Sequence, residues 1–335
     1  MHVSNHLISP EVSIVGGVVA ALLVGVAVIK THKEQPSSKR LTLAGILGAF
    51  VFAAQMFNFP IGALGCSGHL VGGVLLAAML GPWLGFLTLS GVLVLQALLF
   101  ADGGIMTLGW NIVNMAALGS LVAYPLIFRP IIKASAATAR CLTASIVTSV
   151  AALSLGAMAV VFESTLSGNA ALPFAEFMAN MLPIHLLIGA IEGATCGVIL
   201  LLVARREPAL LEAYRSRLGS LRINYKRVFT IFALASLIVG GIFSLMASSH
   251  PDGLEWAIGK TLGGEVIEIT NRTHLAAESL QQSIALAPDY EGSYTGLWAT
   301  AAILLCTWLF VGTSGSRRKE SQAATQPLAS TPRRK

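Results

Sequence analysis

Residues 68–82 read Gly-His-Leu-Val-Gly-Gly-Val-Leu-Leu-Ala-Ala-Met-Leu-Gly-Pro. The run is apolar apart from His69, and Gly81-Pro82 closes it, because the residue before a proline is pushed out of helical geometry. At 1.5 Å per residue a helix over 68–81 reaches only about 21 Å, against roughly 30 Å of bilayer hydrocarbon. It reads as a short, tilted or re-entrant helix, and 68–100 as a tight helical hairpin turning at Gly81-Pro82-Trp83. Whether 68–81 counts as a crossing decides the side on which every later loop lies.

The rest of the chain supplies the test. Of 335 residues, 55% are hydrophobic and 11% charged, with a mean hydropathy of +0.74. Soluble domains carry roughly 25% charged residues, so a soluble globular enzyme and a disordered chain are both excluded. The 33 glycines follow no repeat, which excludes a collagen-like chain. Apolar runs at 13–29, 41–60, 68–81, 84–100, 109–128, 141–162, 182–204, 228–248 and 296–312 make an all-α polytopic membrane protein with nine candidate spans. With the N-terminus outside, nine crossings put 30–40, 129–140, 205–227 and the C-terminal tail inside. Those four segments hold every Lys and Arg of the 22 except Lys260 and Arg272. The positive-inside rule selects this orientation, and miscounting the third span would have spoiled it. The net charge of +6 is thus a topological signal and carries no argument for nucleic acid. The first ten residues hold no Lys or Arg, so 1–29 reads as a retained helix rather than a cleaved signal peptide.

The expected organisation is a seven-span unit at 1–204, a basic cytoplasmic linker at 205–227, a two-span module at 228–313 and a disordered tail at 314–335. The module encloses an acidic external segment, 249–295, and the tail is rich in Ser, Thr, Ala, Gln and Pro.

Four polar features fall on the outer side. They are Met1-His2; Gly65-Cys66-Ser67-Gly68-His69; Asp102-Gly103-Gly104 with Asn111 and Asn114; and His185 with Glu192, two helical turns apart on one face. Ionisable groups in or near spans are costly and usually functional. An N-terminal X-His has specific chemistry. Its α-amine, the His2 amide nitrogen and the His2 Nδ1 can close adjacent five- and six-membered chelate rings in one plane. A metal that displaces an amide proton and accepts tetragonal nitrogen ligation is Ni(II) or Cu(II), with Co(II) a further option. A second imidazole completes the square, and His69 fits best because it lies on the same side at a helix entrance. Met1 is expected to be retained, since His2 is bulky. By residue type alone, a second-position His and a His at a helix mouth are more often interfacial than ligating. His6 is read as polar rather than as an auxiliary ligand, and His32 as solvated. His250 and His274 are external and open to weak metal collection. Asn111 and Asn114 fit helix capping and interhelical bonding. The cysteines (Cys66, Cys141, Cys196, Cys306) lack paired metal spacing. Three read as small packing residues, and only Cys66 lies near the proposed site.

These blocks resemble the substrate-binding membrane subunit of energy-coupling-factor nickel and cobalt transporters, the NikM/CbiM type. Met1-His2-Val3-Ser4-Asn5-His6 followed by Ser9-Pro10 is similar to the family's Met-His-Ile-Pro-Asp/Glu-Gly opening and later Leu-Ser-Pro. Phe52-Ala53-Ala54-Gln55-Met56 with Asn58-Phe59-Pro60, Gly68-His69-Leu70-Val71-Gly72-Gly73 with Leu80-Gly81-Pro82, Asp102-Gly103-Gly104 through Asn114-Met115, and His185 with Glu192-Gly193 resemble further family blocks in the same order. Pro251-Asp252-Gly253-Leu254-Glu255 is similar to the PDGLE module of the small two-span partner subunit, here fused C-terminally.

The resemblance implies that the Met1 amine, the His2 amide and imidazole, and His69 bind the ion. His6, Cys66, Asn111, Asn114, His185 and Glu192 are candidates around them. It also implies a seven-span S-component bundle in a bacterial cytoplasmic (inner) membrane. Such a subunit captures Ni2+ or Co2+ outside as a transported substrate, with no permanent cofactor. It then works with a transmembrane scaffold subunit and cytoplasmic ATPase subunits. Ser4, Asn5 and His6 replace Pro, an acidic residue and Gly of the family pattern, which puts the rigidity of the terminal loop in question. The chain has no Gly-x-x-x-x-Gly-Lys-Ser/Thr loop, so it is not expected to be an enzyme, and ATP hydrolysis falls to partners. Ala49 and Ala53 form a small face suited either to a scaffold helix or to packing inside the bundle. The PDGLE module is expected to assist metal loading, by ordering the terminal loop. The alternative is a stand-alone secondary transporter or channel for divalent metals. It calls for charges along the inner bundle, whereas Glu192 reads as the only acid inside a span. An intramembrane metalloenzyme would need a base beside an open metal position, and no His-Glu-x-x-His occurs.

Overall fold

The first helices start where the sequence supplies caps. Ser9 accepts the Val12 amide ahead of α1 (Pro10–Glu34), and Ser37 accepts the Arg40 amide ahead of α2 (Ser38–Met56). The computed structural model describes residues 1–134, 138–169, 171–218, 222–264, 271–292 and 294–324. A two-residue pair follows α2, with β1 (Phe59–Pro60) antiparallel to β2 (Ser67–Gly68). Then come α3 (Gly73–Leu80) and α4 (Pro82–Leu99). Next, α5 (Leu108–Asn111) runs through a π-helical stretch, Ile112–Phe128, into α6 (Arg129–Ala134). The bundle closes with α7 (Thr138–Leu166), α8 (Phe174–Arg206) and the short α9 (Glu212–Leu218). The C-terminal part holds α10 (Tyr225–Ile238, continuing in tighter and wider turns to Met246), α11 (Gly253–Thr261), α12 (Arg272–Ile284) and α13 (Thr295–Ala324).

Six helices among the described residues are long and apolar enough to cross a membrane: Pro10–Glu34, Pro82–Leu99, Leu108–Lys133, Thr138–Leu166, Phe174–Arg206 and Tyr225–Met246. Three of the nine candidate spans differ from these. The 19-residue α2 carries Lys39 and Arg40 in its first turn, which dilute its hydropathy. The apolar part of α13 is Thr295–Leu309. The third, α3, has only 8 residues, all of them buried.

The form of α3 explains the sequence puzzle at 68–82. Left-handed backbone at Gly72 (φ 86°) starts the helix, and Gly81 (φ 90°) ends it, positions that only glycine takes without strain. Helix and lead-in together still reach from one end of the bundle to the other. Six non-helical residues at no more than about 3.3 Å each and eight helical ones at 1.5 Å reach at most roughly 30 Å. Non-helical backbone at membrane depth survives only inside protein with its polar groups satisfied. That holds here: Glu192 of α8 accepts the amides of Val71 (2.9 Å) and Gly72 (3.1 Å), and Gln55 donates to the Val71 carbonyl (2.8 Å). At the far end, Arg40 donates to the Leu80 carbonyl and Arg215 to that of Met79 (3.0 Å). Beside them Arg129 pairs with Glu212 (2.9 Å), which also accepts the Tyr124 hydroxyl.

Between 207 and 218 the linker is therefore folded, not a free loop: Leu210, Leu211, Ala213 and Tyr214 are buried against the bundle end. Helices α10 and α13 pack on α2, where Thr307 lies directly over Gly45. Ala49 and Ala53 are fully buried inside the chain, so of the two uses open to that small face the internal one is observed. Cys141 and Cys196 are buried packing residues, but Cys306 is exposed. Helix α13 carries the tail to Ala324, while residues 325–335 and the acidic Glu265 and Glu268 lie outside the described residues.

Candidate metal site

The N-terminus is folded into the protein. Val3, Leu7 and Ile8 form a second apolar cluster with Ala157, Val160 and Val161 of α7 and Leu254 and Ala257 of α11. Polar contacts fix the register. Asn111 accepts the Val3 amide (2.8 Å) and donates to the Val3 carbonyl (3.1 Å), which also accepts from Thr107 (2.6 Å) and the Gly104 amide (2.8 Å). The Met1 side chain enters the core between α7 and the rod that begins at α5. A Cβ on Gly156 would lie 2.5 Å from its terminal methyl and 3.0 Å from the Asn114 carbonyl oxygen, so a side chain there would displace the methyl.

This placement brings the Met1 amine to 3.4 Å from His69 Nε2. Bonds of roughly 2 Å to a square-planar ion would put neighbouring nitrogens about 2.8 Å apart, so the two groups are within an ångström of a shared coordination edge. The β1–β2 pair delivers His69 there, and Glu192 holds the backbone two residues beyond it. The rings of His2 and His69 stack, with centroids 5.5 Å apart and 14° between planes. The His2 ring itself is turned away from the chelate. Its Nδ1 faces Asp102 Oδ1 at 3.1 Å, and its Nε2 is buried without a partner. Burial lowers the basicity of the His2 imidazole, partly offset by Asp102.

The segment between the last two spans closes over this site at three points. Asp252 caps α11, its Oδ1 accepting the amides of Leu254 (2.8 Å) and Glu255 (2.9 Å) while Glu255 reaches back to the Asp252 amide (3.1 Å). Its other oxygen binds the Met1 ammonium. Burial pushes that carboxyl up, but the ammonium and His69 outweigh it and hold Asp252 below the usual carboxylate range. Tyr290 donates to Asp102 (2.6 Å), the residue that faces His2. Gln281 of α12 accepts from Asn5 (2.7 Å) and the Ile105 amide (3.2 Å) and donates to the Gly103 carbonyl (2.7 Å). Asn5, one of the departures from the family pattern, thus joins the terminal loop to α12.

The remaining candidates divide. His185 lines a cavity of about 10 Å3 with Met1, His69 and Asp252, its Nδ1 on the Met181 carbonyl (2.8 Å) and its Nε2 unpartnered. Asn114 and Glu192 line a second such cavity on the other side of Met1. Each has room for about one water. Asn114 donates to both carboxylate oxygens of Glu163 (3.0 Å). That acid lies inside α7 and is 4% exposed, so Glu192 is not the only acid within a span. Both acids are occupied by protein donors. His6 bonds Ser4 (3.2 Å) and sits toward His274 and Glu278 rather than His2. Cys66 is fully buried in the core, and His274 is buried rather than open to solvent. Among the described residues no three His, Cys, Asp or Glu side chains surround a metal-sized point. A terminal amine, a backbone amide and two imidazoles make a different kind of donor set, with only two such side chains. The sequence reading did not assign Asp102, Asp252, Gln281 or Tyr290 to the site. Two of them had been singled out for other reasons: Asp102 as part of an outer polar feature, and Asp252 within the Pro251–Glu255 motif.

Comparison with known proteins identifies the family. Residues 2–210 match the family model described as CbiM, cobalt uptake substrate-specific transmembrane region, and residues 226–315 match the PDGLE domain. The chain is 31% identical over 264 residues to a protein named as a fused nickel transport protein, NikMN, in Archaeoglobus fulgidus, covering 76% of this chain and 84% of that one. Over 106 residues it is 44% identical to the cobalt transport protein CbiM of Thermosediminibacter oceani, covering 31% of this chain and 42% of the relative. A crystal structure of a transition metal transporter superposes with a TM-score of 0.54 at 29% identity, covering 65% of this chain and 100% of that one. With its helical membrane bundle, and with a PDGLE domain joined behind it, the chain belongs to the CbiM family of transmembrane proteins for uptake of transition metal ions.

Proposed function

We propose that this chain is the substrate-capture subunit of an ATP-driven energy-coupling-factor importer for Ni2+ or Co2+. It grips the ion at the outer membrane face through the Met1 amine, the His2 amide and imidazole, and His69. The observation that carries this reading is the approach of the Met1 amine to His69 Nε2, with the His2 ring stacked alongside. Two rearrangements complete the plane. The amine gives up its proton and leaves Asp252, and the His2 ring turns its Nδ1 from Asp102 toward its own amide. Asp252 belongs to the PDGLE module and Asp102 accepts from that module's Tyr290, so this reading gives the module a role. It holds the terminal loop in register until an ion replaces the proton on Met1.

In this reading residues 1–204 form the metal-binding unit, with the N-terminus outside and the cation-rich end in the cytoplasm of a bacterial inner membrane. A scaffold subunit and cytoplasmic ATPases then drive release. Nitrogen ligation in a plane and the Irving–Williams order favour nickel over cobalt. The test is an Ala inserted between Met1 and His2, which enlarges the chelate. Calorimetry on the purified full chain is expected to show nickel affinity reduced by about a hundredfold or more. Unchanged affinity rejects the site.

A further inference from the structure

The end of the bundle opposite the metal site carries an open cleft between α8 and α10. From α8 it takes Ile199, Leu202 and Val203, one face at helical spacing, with Arg206 one turn further on. From α10 it takes Val228, Ile231, Phe232 and Ala235, the same spacing, with Arg227 at the start of the stripe. Leu202 is 58% exposed and Ile231 56%, so the apolar walls are open to the surrounding medium. Both arginines are exposed, and neither makes an ion pair among the described residues. The one acid at the cleft, Glu207, is turned to the Asn224 amide (3.2 Å).

We infer that this cleft binds an anionic phospholipid, with acyl chain along the two apolar stripes and phosphate on Arg206 and Arg227. The inference is independent of the metal proposal. Two unpaired guanidiniums at the mouth of an apolar slot match a phosphate joined to hydrocarbon, because arginine forms bidentate, charge-assisted bonds to phosphate oxygens. The slot encloses about 580 Å3. The site lies where the seven-helix unit meets the C-terminal spans, with Phe50 of α2 as its inner wall. A bound lipid there fills the seam between them.

The test uses the purified full chain, stripped of lipid and titrated with phosphatidylglycerol or phosphatidylcholine under native mass spectrometry. At about 1 kcal/mol for each arginine, phosphatidylglycerol is expected to be retained about tenfold or more over phosphatidylcholine. Arg206→Ala with Arg227→Ala should bring that ratio to near unity. Ala235→Phe, which fills the slot, should reduce retention of both lipids at unchanged melting temperature. Equal retention of the two lipids by the wild-type chain overturns the inference, as does an unchanged ratio in the double variant. So does a maleimide-reactive Ile231→Cys that phosphatidylglycerol leaves open while co-expressed scaffold and ATPase subunits protect it.

Discussion

The two ends of the 68–82 segment are held by opposite chemistry. At the metal-site end a carboxylate, Glu192, accepts backbone amides, and the neighbouring ligand groups are tied by contacts that an ion can replace: Met1 to Asp252 and His2 to Asp102. At the other end two arginines donate to the terminal carbonyls of α3, where a helix has unsatisfied acceptors and its dipole favours cations. Among the described residues nothing at that end resembles a ligand set. Under the proposed function recognition falls to one end and anchoring to the other, and α3 with its non-helical lead-in joins them.

Four substitutions or conditions would break or sharpen that contrast. Glu192→Leu leaves two buried amides unpaired beside His69 and should cost about 10- to 100-fold in nickel affinity, measured by calorimetry. Unaltered affinity would mean that the lead-in holds its shape without the carboxylate. Gly156→Val drives a side chain into the Met1 methyl group and is expected to weaken nickel binding by about tenfold, without loss of the helical circular-dichroism signal. At the anchoring end, Arg215→Ala should leave nickel affinity within about twofold while lowering stability by about 1–3 kcal/mol, because a buried carbonyl loses its charged donor. A large affinity loss there would erase the distinction between the ends.

The smallest effect concerns pH. His2 binds protons less readily folded than unfolded, so its burial opposes stability at acid pH. The metal-free protein should be most stable above about pH 6.5 and lose melting temperature as pH falls below that, by roughly 3 °C. His2→Gln should flatten part of that slope. A slope identical to wild type would show that His2 does not share in it.

Much of the architecture was legible in one dimension. Hydropathy marks an all-α membrane chain, because a bilayer demands long apolar helices, and the one-sided placement of Lys and Arg depends on loop order alone. The shortness of 68–81 was legible too, since Gly81-Pro82 stops a helix locally. Its non-helical lead-in was not. That conformation depends on Glu192, some 120 residues away, accepting two amides. The His2–His69 pairing was proposed from chemistry and resemblance, but no sequence rule turns the His2 ring toward Asp102.

The sequence alone determined the all-α membrane class and the stop at Gly81-Pro82, both of which follow from neighbours along the chain. The tertiary fold decided that Asp252 meets the Met1 ammonium across 251 residues, that Glu163 pairs with Asn114, and that Ala49 and Ala53 face inward. Buried charges and polar groups must find a partner, but many partners are chemically equivalent, and only packing brings one of them within reach.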